Sequence, residues 1–303
     1  MQRVANRGRE RRLSRMDALT AYAMDRLLYR LGRSAQAHEF YLKGGVLVAN
    51  LLAMPHRFTR DIDLLRRHGS PDPNELRVRF REIVAIPSDD GVHFDPNDVR
   101  AVVATRDVDG YDGVRVSVRA MMGATKVDVH IDVGFGDAVQ PPAERRTLAS
   151  FLDGDLPARV FAYEAGPVLA EKIETLLAKF PIITHRLKDL LDVVVLASHD
   201  EYRGELLVPS LQATFVRRGT VVDIAVLDEM HSELCGRRWT TRWAAMRKEK
   251  AVAVSTNLPD ALRSFDTFVR PLVVALTGGV VPGVWPPGGP WREISHEGDS
   301  DKT

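Results

Sequence analysis

The clearest pattern along the chain is an alternation of apolar and polar residues in its first half. Runs of period two occupy 99–105, 113–120 and 126–133, and an Asp-Gly pair at 109–110 separates the first two. Because side chains alternate between the faces of a strand and Asp-Gly is typical of tight turns, these runs predict strands, the first two joined as a hairpin. Apolar residues at helical spacing in 16–31 predict an earlier amphipathic helix.

Helical periodicity dominates the second half of the chain. Apolar residues three and four apart predict helices in 167–180, 185–198, 211–219, 221–234, 239–250 and 259–276. We therefore predict a bilobed α/β (α+β) fold with a mixed-sheet lobe over 1–155 and a mainly helical lobe over 156–281. Residues 282–303 are rich in Pro and Gly, which predicts a flexible tail.

Composition excludes few classes of protein. The 303 residues are 45% hydrophobic and 27% charged with a formal net charge of +1, as in ordinary globular proteins, so net charge alone does not indicate a nucleic-acid partner. The single cysteine, Cys235, excludes an intramolecular disulfide and argues against a cysteine-based zinc site. No stretch approaches the ~20 apolar residues of a membrane span, so we expect a cytoplasmic protein that does not enter the membrane.

The segment 40–65 carries the strongest candidate chemistry. It reads as a strand, the diglycine Gly44-Gly45, an apolar helix, a basic loop and a second strand that contains Asp61 and Asp63. Since residues i and i+2 of a strand point to the same face, the two carboxylates should lie side by side, where they favour a divalent cation such as Mg²⁺ or Mn²⁺. The diglycine would let backbone N–H groups approach a phosphate.

A third carboxylate is expected from the strand at 126–133. Its polar face includes Asp128 and Asp132, and the sequence does not choose between them. Each feature alone has an ordinary explanation, because Asp-x-Asp is common on solvated strand faces and a diglycine often serves only a turn. Their order along the chain instead favours nucleotidyl transfer, in which hard cations neutralise the charge of the triphosphate.

The same order of motifs resembles a known family. The residues YLKGG at 41–45 and RFTRDIDL at 57–64 resemble the first motif of the AbiEii/AbiGii toxins, which include the MenT-like mycobacterial toxins. The residues LAEK at 169–172 and RLKDLLD at 186–192 resemble two later helices of that family. The resemblance implies a nucleotidyltransferase related to DNA polymerase β.

The resemblance also assigns roles to residues in the later helices. It implies that Lys172 and Asp189 act with Asp61 in catalysis and that the hydroxyl of Thr59 contacts a phosphate. An ammonium group suits a phosphate oxygen, and a neighbouring carboxylate could orient the amine or receive the proton of the nucleophile. Without the family, Lys172 would read as a solvated residue and Asp189 as the partner of Arg186.

The expected nucleotide-binding residues are either small enough to admit a phosphate or able to bind one: Gly44, Gly45, Thr59 and Lys172. Secondary candidates for the site are Lys43, Arg57 and Asp192. Enzymes of the MenT type add nucleotides to the 3′ end of tRNA and so block aminoacylation. The resemblance therefore implies an NTP substrate, a tRNA acceptor and a cognate antitoxin. Alternatives are nucleotidylation of a protein or small molecule, or a catalytically silent module that binds nucleotides or the antitoxin.

Three basic segments could receive the acceptor: the N-terminal arginines within 3–15, Arg217-Arg218, and the segment 237–248. Arginine with tryptophan is suited to RNA ends, where bases stack on aromatic rings. Trp239 and Trp243 are four residues apart, however, and would pack equally well into a core. The N-terminal arginines would equally form a solvated, frayed arm.

Overall fold

The computed structural model describes residues 1–53, 59–105, 112–182, 186–249 and 256–293. They divide into two compact units. The first contains Met1–Asp137 and Pro142–Glu164, and the second contains Ala138–Pro141, Ala165–Glu249 and the described part of Ala253–Thr303. A mixed sheet dominates the first unit and helices dominate the second, which confirms the predicted fold class.

The first unit is built on a sheet in which eight strands are described. Its helices and strands, in chain order, are α1 (Gln2–Glu10), α2 (Arg15–Arg33), β1 (Phe40–Lys43), α3 (Gly44–Leu51), β2 (Asp61–Arg66), α4 (Pro73–Val84), β3 (His93–Phe94), β4 (Arg100–Thr105), β5 (Asp112–Met122), β6 (Thr125–Phe135), β7 (Glu144–Thr147) and β8 (Arg159–Ala162). The strand order is β3-β5-β6-β2-β1-β8-β7, with β4 also paired to β5. The β2–β6 and β1–β8 pairs are parallel and the others are antiparallel.

The period-two runs predicted from the sequence correspond to β4, β5 and β6. Along β6 the buried residues Val127, Val129 and Ile131 alternate with more exposed polar ones. Because successive side chains point to opposite faces, one face of the sheet is apolar and the other is polar. Helices α2 and α4 contact the sheet strands and contribute buried residues, so the apolar face forms the core of the unit.

The basic N-terminus is packed against its own unit. Arg7 donates a hydrogen bond to the carbonyl oxygen of Phe151 at 3.3 Å and forms an ion pair with Asp153. Val4 is buried, and Gly8 is so close to Ala18 that a side chain would not fit between the helices. Arg3, Arg7 and Arg9 therefore lie on a docked helix and do not form the frayed arm that was one of the sequence-based interpretations.

The sequence pattern did not indicate β7 and β8. Each has four residues, which is too short for periodicity to separate a strand from a loop. Strand β8 adds to the sheet beside β1, where Tyr41 pairs with Phe161 in parallel register. The first unit therefore extends to Glu164, beyond the predicted boundary at residue 155.

The second unit is mainly helical. Its described elements are α5 (Ala165–Lys179), α6 (Leu187–His199), β9 (Tyr202–Arg203), α7 (Gly204–Arg218), α8 (Ala225–Leu234), α9 (Arg237–Glu249), α10 (Leu258–Leu276) and β10 (Val284–Trp285). Trp239 and Trp243 of α9 are 6% and 2% exposed, so both rings pack into the core. They are therefore not available for stacking on RNA bases. None of the described helices has the length and apolar composition of a membrane span.

The start of the predicted tail is ordered on the second unit. The indole N–H of Trp285 donates to the carbonyl oxygen of Ala197 at 2.7 Å, and β10 pairs with β9. The ring of Trp291 stacks on Phe268 with centroids 5.6 Å apart. The Pro and Gly content of residues 282–293 predicted flexibility. These residues pack on helices instead, because two tryptophans provide the apolar area that anchors them. Residues 294–303 lie outside the described ranges.

Candidate functional site

The diglycine turn joins β1 to α3 and lies directly against the Asp-x-Asp strand. Gly44 has a φ of +64°, and a Cβ added to it would overlap the carboxylate of Asp63. A Cβ on Gly45 would lie 2.8 Å from Oγ1 of Thr59, and the Gly45 N–H donates to Oδ2 of Asp63 at 3.4 Å. Glycine is therefore needed at 44 both for backbone conformation and for space.

A row of four charged residues crosses the polar face of the sheet. Strand register pairs Arg115 with Asp132, Asp132 with Asp63, and Asp63 with Lys43, so the row runs cation, anion, anion, cation. Paired residues on adjacent strands point to the same face of a sheet. Asp61 lies on this face two residues from Asp63. The structure therefore brings Asp61, Asp63 and Asp132 together on adjacent strands.

The strand register distinguishes Asp128 from Asp132, the two candidates for the third carboxylate. Asp132 lies beside Asp63, whereas Asp128 lies four residues away along β6 and pairs with Arg119 of β5. The side chain of Asp128 is 52% exposed and that of Asp132 is 16% exposed. Asp132 is the carboxylate that the fold places next to the Asp-x-Asp strand.

Arg115 holds Asp132 with both arms of its guanidinium group. Its Nε and Nη2 atoms donate to Oδ1 and Oδ2 of Asp132, both at 2.7 Å, in the bidentate geometry that matches a planar guanidinium to a carboxylate. The hydrogen bond to Asp132 and the negative charges of Asp132, Asp61 and Asp63 raise the pKa of Arg115 above its ordinary value, against the opposing effect of burial. The guanidinium is thus a permanent positive charge among the carboxylates.

These carboxylates have the chemistry of a magnesium site. Oxygen ligands are what Mg²⁺ and Mn²⁺ prefer, and strands hold them without a mobile loop. Within the ranges that the structure describes, no group of three Asp, Glu, His or Cys side chains is already arranged to hold a metal ion. Both oxygens of Asp132 are hydrogen-bonded to Arg115, so a cation would share this carboxylate with the guanidinium or displace it.

Two further predicted residues are Lys43, at the end of the row, and Thr59, beside the diglycine. Lys43 ends β1 and forms an ion pair with Asp137, and its Nζ lies 5.7 Å from the ring centroid of Tyr163. Thr59 is next to the diglycine, with Oγ1 3.5 Å from the carbonyl oxygen of Asp61. Arg57, another secondary candidate, lies outside the described residues.

The second unit contains a separate charged cluster. Lys172 of α5 donates to Oδ1 of Asp189 at 2.9 Å and to Oδ2 of Asp192 at 2.6 Å, both on α6. The three side chains are 12%, 8% and 5% exposed. Among the described residues, Oδ2 of Asp189 accepts no hydrogen bond, although Nη1 of Arg186 lies 3.6 Å away. Lys172 is therefore not the solvated residue that sequence reasoning without the family would expect.

Comparison with known proteins identifies the family. A sequence profile described as the nucleotidyl transferase AbiEii toxin of type IV toxin–antitoxin systems matches residues 26–270. The chain belongs to the AbiEii nucleotidyltransferase toxin family. This family implies an NTP substrate and an antitoxin partner. No curated protein sequence matches the chain.

Solved structures with similarity to this AbiEii-family chain are known. MenT4, the nucleotidyltransferase toxin Rv2826c of Mycobacterium tuberculosis H37Rv, is 18% identical, with a TM-score of 0.51 over 91% of this chain and 90% of that one. JHP933 from Helicobacter pylori is 15% identical, with a TM-score of 0.48 over 88% of this chain and 95% of that one. At these identities the likeness to MenT4 is one of fold.

Sequence reasoning missed two charged residues of the candidate site. Arg115 and Asp137 both contact predicted site residues, namely Asp132 and Lys43. Arg115 belongs to the period-two run 113–120, and its position on the polar face could be read from the sequence. Its partner could not, because pairing between strands depends on register.

Proposed function

We propose that the protein is a Mg²⁺-dependent nucleotidyltransferase toxin that transfers NMP from an NTP to the 3′ end of tRNA and thereby blocks aminoacylation. The observation that carries this proposal is the register that places Asp132 beside Asp63, with Asp61 on the same face and the diglycine against Asp63. Membership of the AbiEii family supports the transferase activity.

In this proposal Asp61, Asp63 and Asp132 hold the divalent cation, which can be Mg²⁺ or Mn²⁺. Asp132 is preferred to Asp128 because it neighbours Asp63 in the sheet. The bound cation neutralises the charge of the triphosphate as pyrophosphate departs. The aspartates orient it from strands whose backbone is held by the sheet.

The diglycine turn and Thr59 bind phosphate in this proposal. The backbone N–H groups of Gly44 and Gly45 open α3, and no side chain at these positions blocks an approaching phosphate, which would share the Gly45 N–H with Oδ2 of Asp63 or replace that oxygen as its acceptor. The N-terminus of a helix favours negative charge because its first N–H groups have no partner within the helix. The hydroxyl of Thr59 would donate to a phosphate oxygen, and Lys43 and Arg57 would add positive charge.

In this proposal Lys172, Asp189 and Asp192 take the roles that the family resemblance assigns to them. Lys172 provides a positive charge for a phosphate oxygen, and its two carboxylate partners orient the ammonium group. Oδ2 of Asp189 is an acceptor that could receive the proton of the attacking hydroxyl. The resemblance of the surrounding helices to the family motifs supports these roles.

The 3′ end of tRNA is the acceptor that the MenT-like resemblance favours. On α9 the side chains of Arg237 and Arg238 are exposed, while the two tryptophans beneath them are buried. This surface would bind phosphates by charge without base stacking. An enzyme that uses NTP and tRNA belongs in the cytoplasm, where a cognate antitoxin would control it.

The test is transfer of label from each α-labelled NTP, with Mg²⁺, in the presence and absence of total tRNA. We expect label in tRNA with the wild-type chain and none with Asp61→Asn, while toxicity in cells follows the same pattern. Label in protein instead of RNA would replace the tRNA acceptor with protein nucleotidylation. No transfer to any acceptor, together with equal toxicity of wild type and Asp61→Asn, would overturn the enzymatic proposal.

A further inference from the structure

Two arginine–aspartate pairs link β5 to β6 on the polar face of the sheet. Arg115 pairs with Asp132, and four residues along the same strands Arg119 pairs with Asp128 at 2.9 Å. The two arginines differ in their surroundings. Arg119 also contacts Asp98, whereas the charges that act on Arg115 include those of Asp61 and Asp63.

Charge repulsion among the aspartates requires a cation even before a metal binds. Like charges directly opposite each other on adjacent strands destabilise a sheet, and Asp63 faces Asp132 in this way. The guanidinium of Arg115 offsets this repulsion and fixes both oxygens of Asp132 at 2.7 Å. The Arg115 side chain is 43% exposed, so its guanidinium can move from the carboxylate into solvent.

We propose that Arg115 is the internal counter-ion of the carboxylate site, which holds Asp132 in the metal-free protein and competes with the divalent cation for that carboxylate. This inference rests on the metal site assigned under the proposed function. Arg115 is therefore a positioning residue that sets the affinity for metal. When the cation binds, it displaces the guanidinium of Arg115 from Asp132.

Removal of this charge should have opposite effects on stability and on metal binding. The variant Arg115→Gln removes the bidentate guanidinium from Asp132, which should lower the melting temperature in the absence of metal. It also removes one positive charge from beside the cation, so the Kd for Mn²⁺ should fall by about tenfold. If Arg115 only joined β5 to β6, its removal would leave the Kd for Mn²⁺ unchanged.

The experiment measures Mn²⁺ binding by titration calorimetry and thermal unfolding with and without Mn²⁺. Arg115→Gln should bind more tightly than wild type and gain more melting temperature from Mn²⁺. Arg115→Lys, which keeps the charge, should bind Mn²⁺ about as tightly as wild type. Arg119→Gln is the matched control, because it breaks the neighbouring pair on the same strands and should leave the Kd unchanged.

The outcomes separate this inference from the metal site itself. The metal site requires that wild type binds Mn²⁺ and that Asp63→Asn abolishes this binding. If either result is missing, both the metal site and the inference are overturned. If wild type binds Mn²⁺ in this way but Arg115→Gln binds it equally or less tightly, the counter-ion role alone is overturned. If far-UV circular dichroism shows that Arg115→Gln does not fold, Arg115→Lys becomes the test. This variant keeps the positive charge, so a change of about tenfold or more in its Kd for Mn²⁺ would contradict competition by charge.

Discussion

The sheet site of the first unit and the lysine cluster of the second unit balance charge in different ways. In the sheet row, two aspartates lie between a cation at each end, and the Arg115 side chain is 43% exposed. In the second unit, one cation, Lys172, is hydrogen-bonded to two carboxylates, and these are 8% and 5% exposed.

This difference determines what a substitution should do. Replacing one aspartate of the sheet row by asparagine removes one of several like charges that repel each other, so it should alter chemistry with little loss of stability. Removal of Lys172 takes a hydrogen-bonded cation away from two carboxylates that are largely shielded from solvent, which is costly. The two sites should therefore separate in experiments that measure activity and stability on the same variants.

The largest expected effect is on transfer in the sheet site. Asp61→Asn and Asp63→Asn should each reduce nucleotidyl transfer by about a thousandfold or more, because loss of a metal ligand removes several kcal/mol of charge stabilisation. The melting temperature should change little, as measured by circular dichroism on the same samples. A large loss of stability would contradict the view that this site is decoupled from folding.

The third carboxylate can be assigned in the same assay. Asp132→Asn should lose transfer as Asp61→Asn does, whereas Asp128→Asn should stay within about twofold of wild type, because Asp128 is exposed and lies away from Asp63. The opposite ranking would show that strand register does not select the ligand.

The next largest effect is expected for Lys172→Ala, which should lose both activity and stability. Lys172→Ala should abolish detectable transfer and also lower the free energy of unfolding by about 3 kcal/mol, since Asp189 and Asp192 lose their shared cation. Urea denaturation measures the stability change. Lys188→Ala is the control, because Lys188 lies beside Asp189 in sequence but is exposed. Unchanged stability of Lys172→Ala would mean that the ammonium group is not needed to stabilise the two carboxylates.

A smaller effect is expected at the diglycine turn. Gly44→Ala places a side chain in a left-handed conformation at a cost of about 1 kcal/mol and pushes it into Asp63, so transfer should fall by about a hundredfold. Gly91→Ala has a similar backbone conformation, with a φ of +72°, but meets no atom within 4 Å. It should lose comparable stability and keep full transfer. Equal activity of the two variants would exclude a role of the turn in holding Asp63.

The smallest effect concerns the exposed arginines of α9. Arg237→Gln and Arg238→Gln should each weaken tRNA binding a few-fold, uniformly across tRNA sequences, and lower the slope of log affinity against log salt by about 1. Filter binding at several salt concentrations measures this. Binding of the NTP should not change, because this surface is assigned to the acceptor. An unchanged salt dependence would place the acceptor elsewhere.

Much of the fold follows from the sequence alone. The period-two runs correspond to β4, β5 and β6, and the helical runs correspond to the helices of the second unit, because both periodicities are local properties of a chain that must bury one face. The same local reasoning places Asp61 and Asp63 on one face of a strand. The motif order leads to the AbiEii family, which the profile match confirms.

The tertiary structure alone decided which residues meet. The choice between Asp128 and Asp132, and the partners of Arg115 and Lys172, depend on contacts between residues far apart in sequence. A one-residue change of register would turn a strand's other face toward its neighbours, and no local pattern specifies that register. The sequence thus determined the kinds of chemical groups in each site, while strand pairing and helix packing determined their neighbours and their exposure to water.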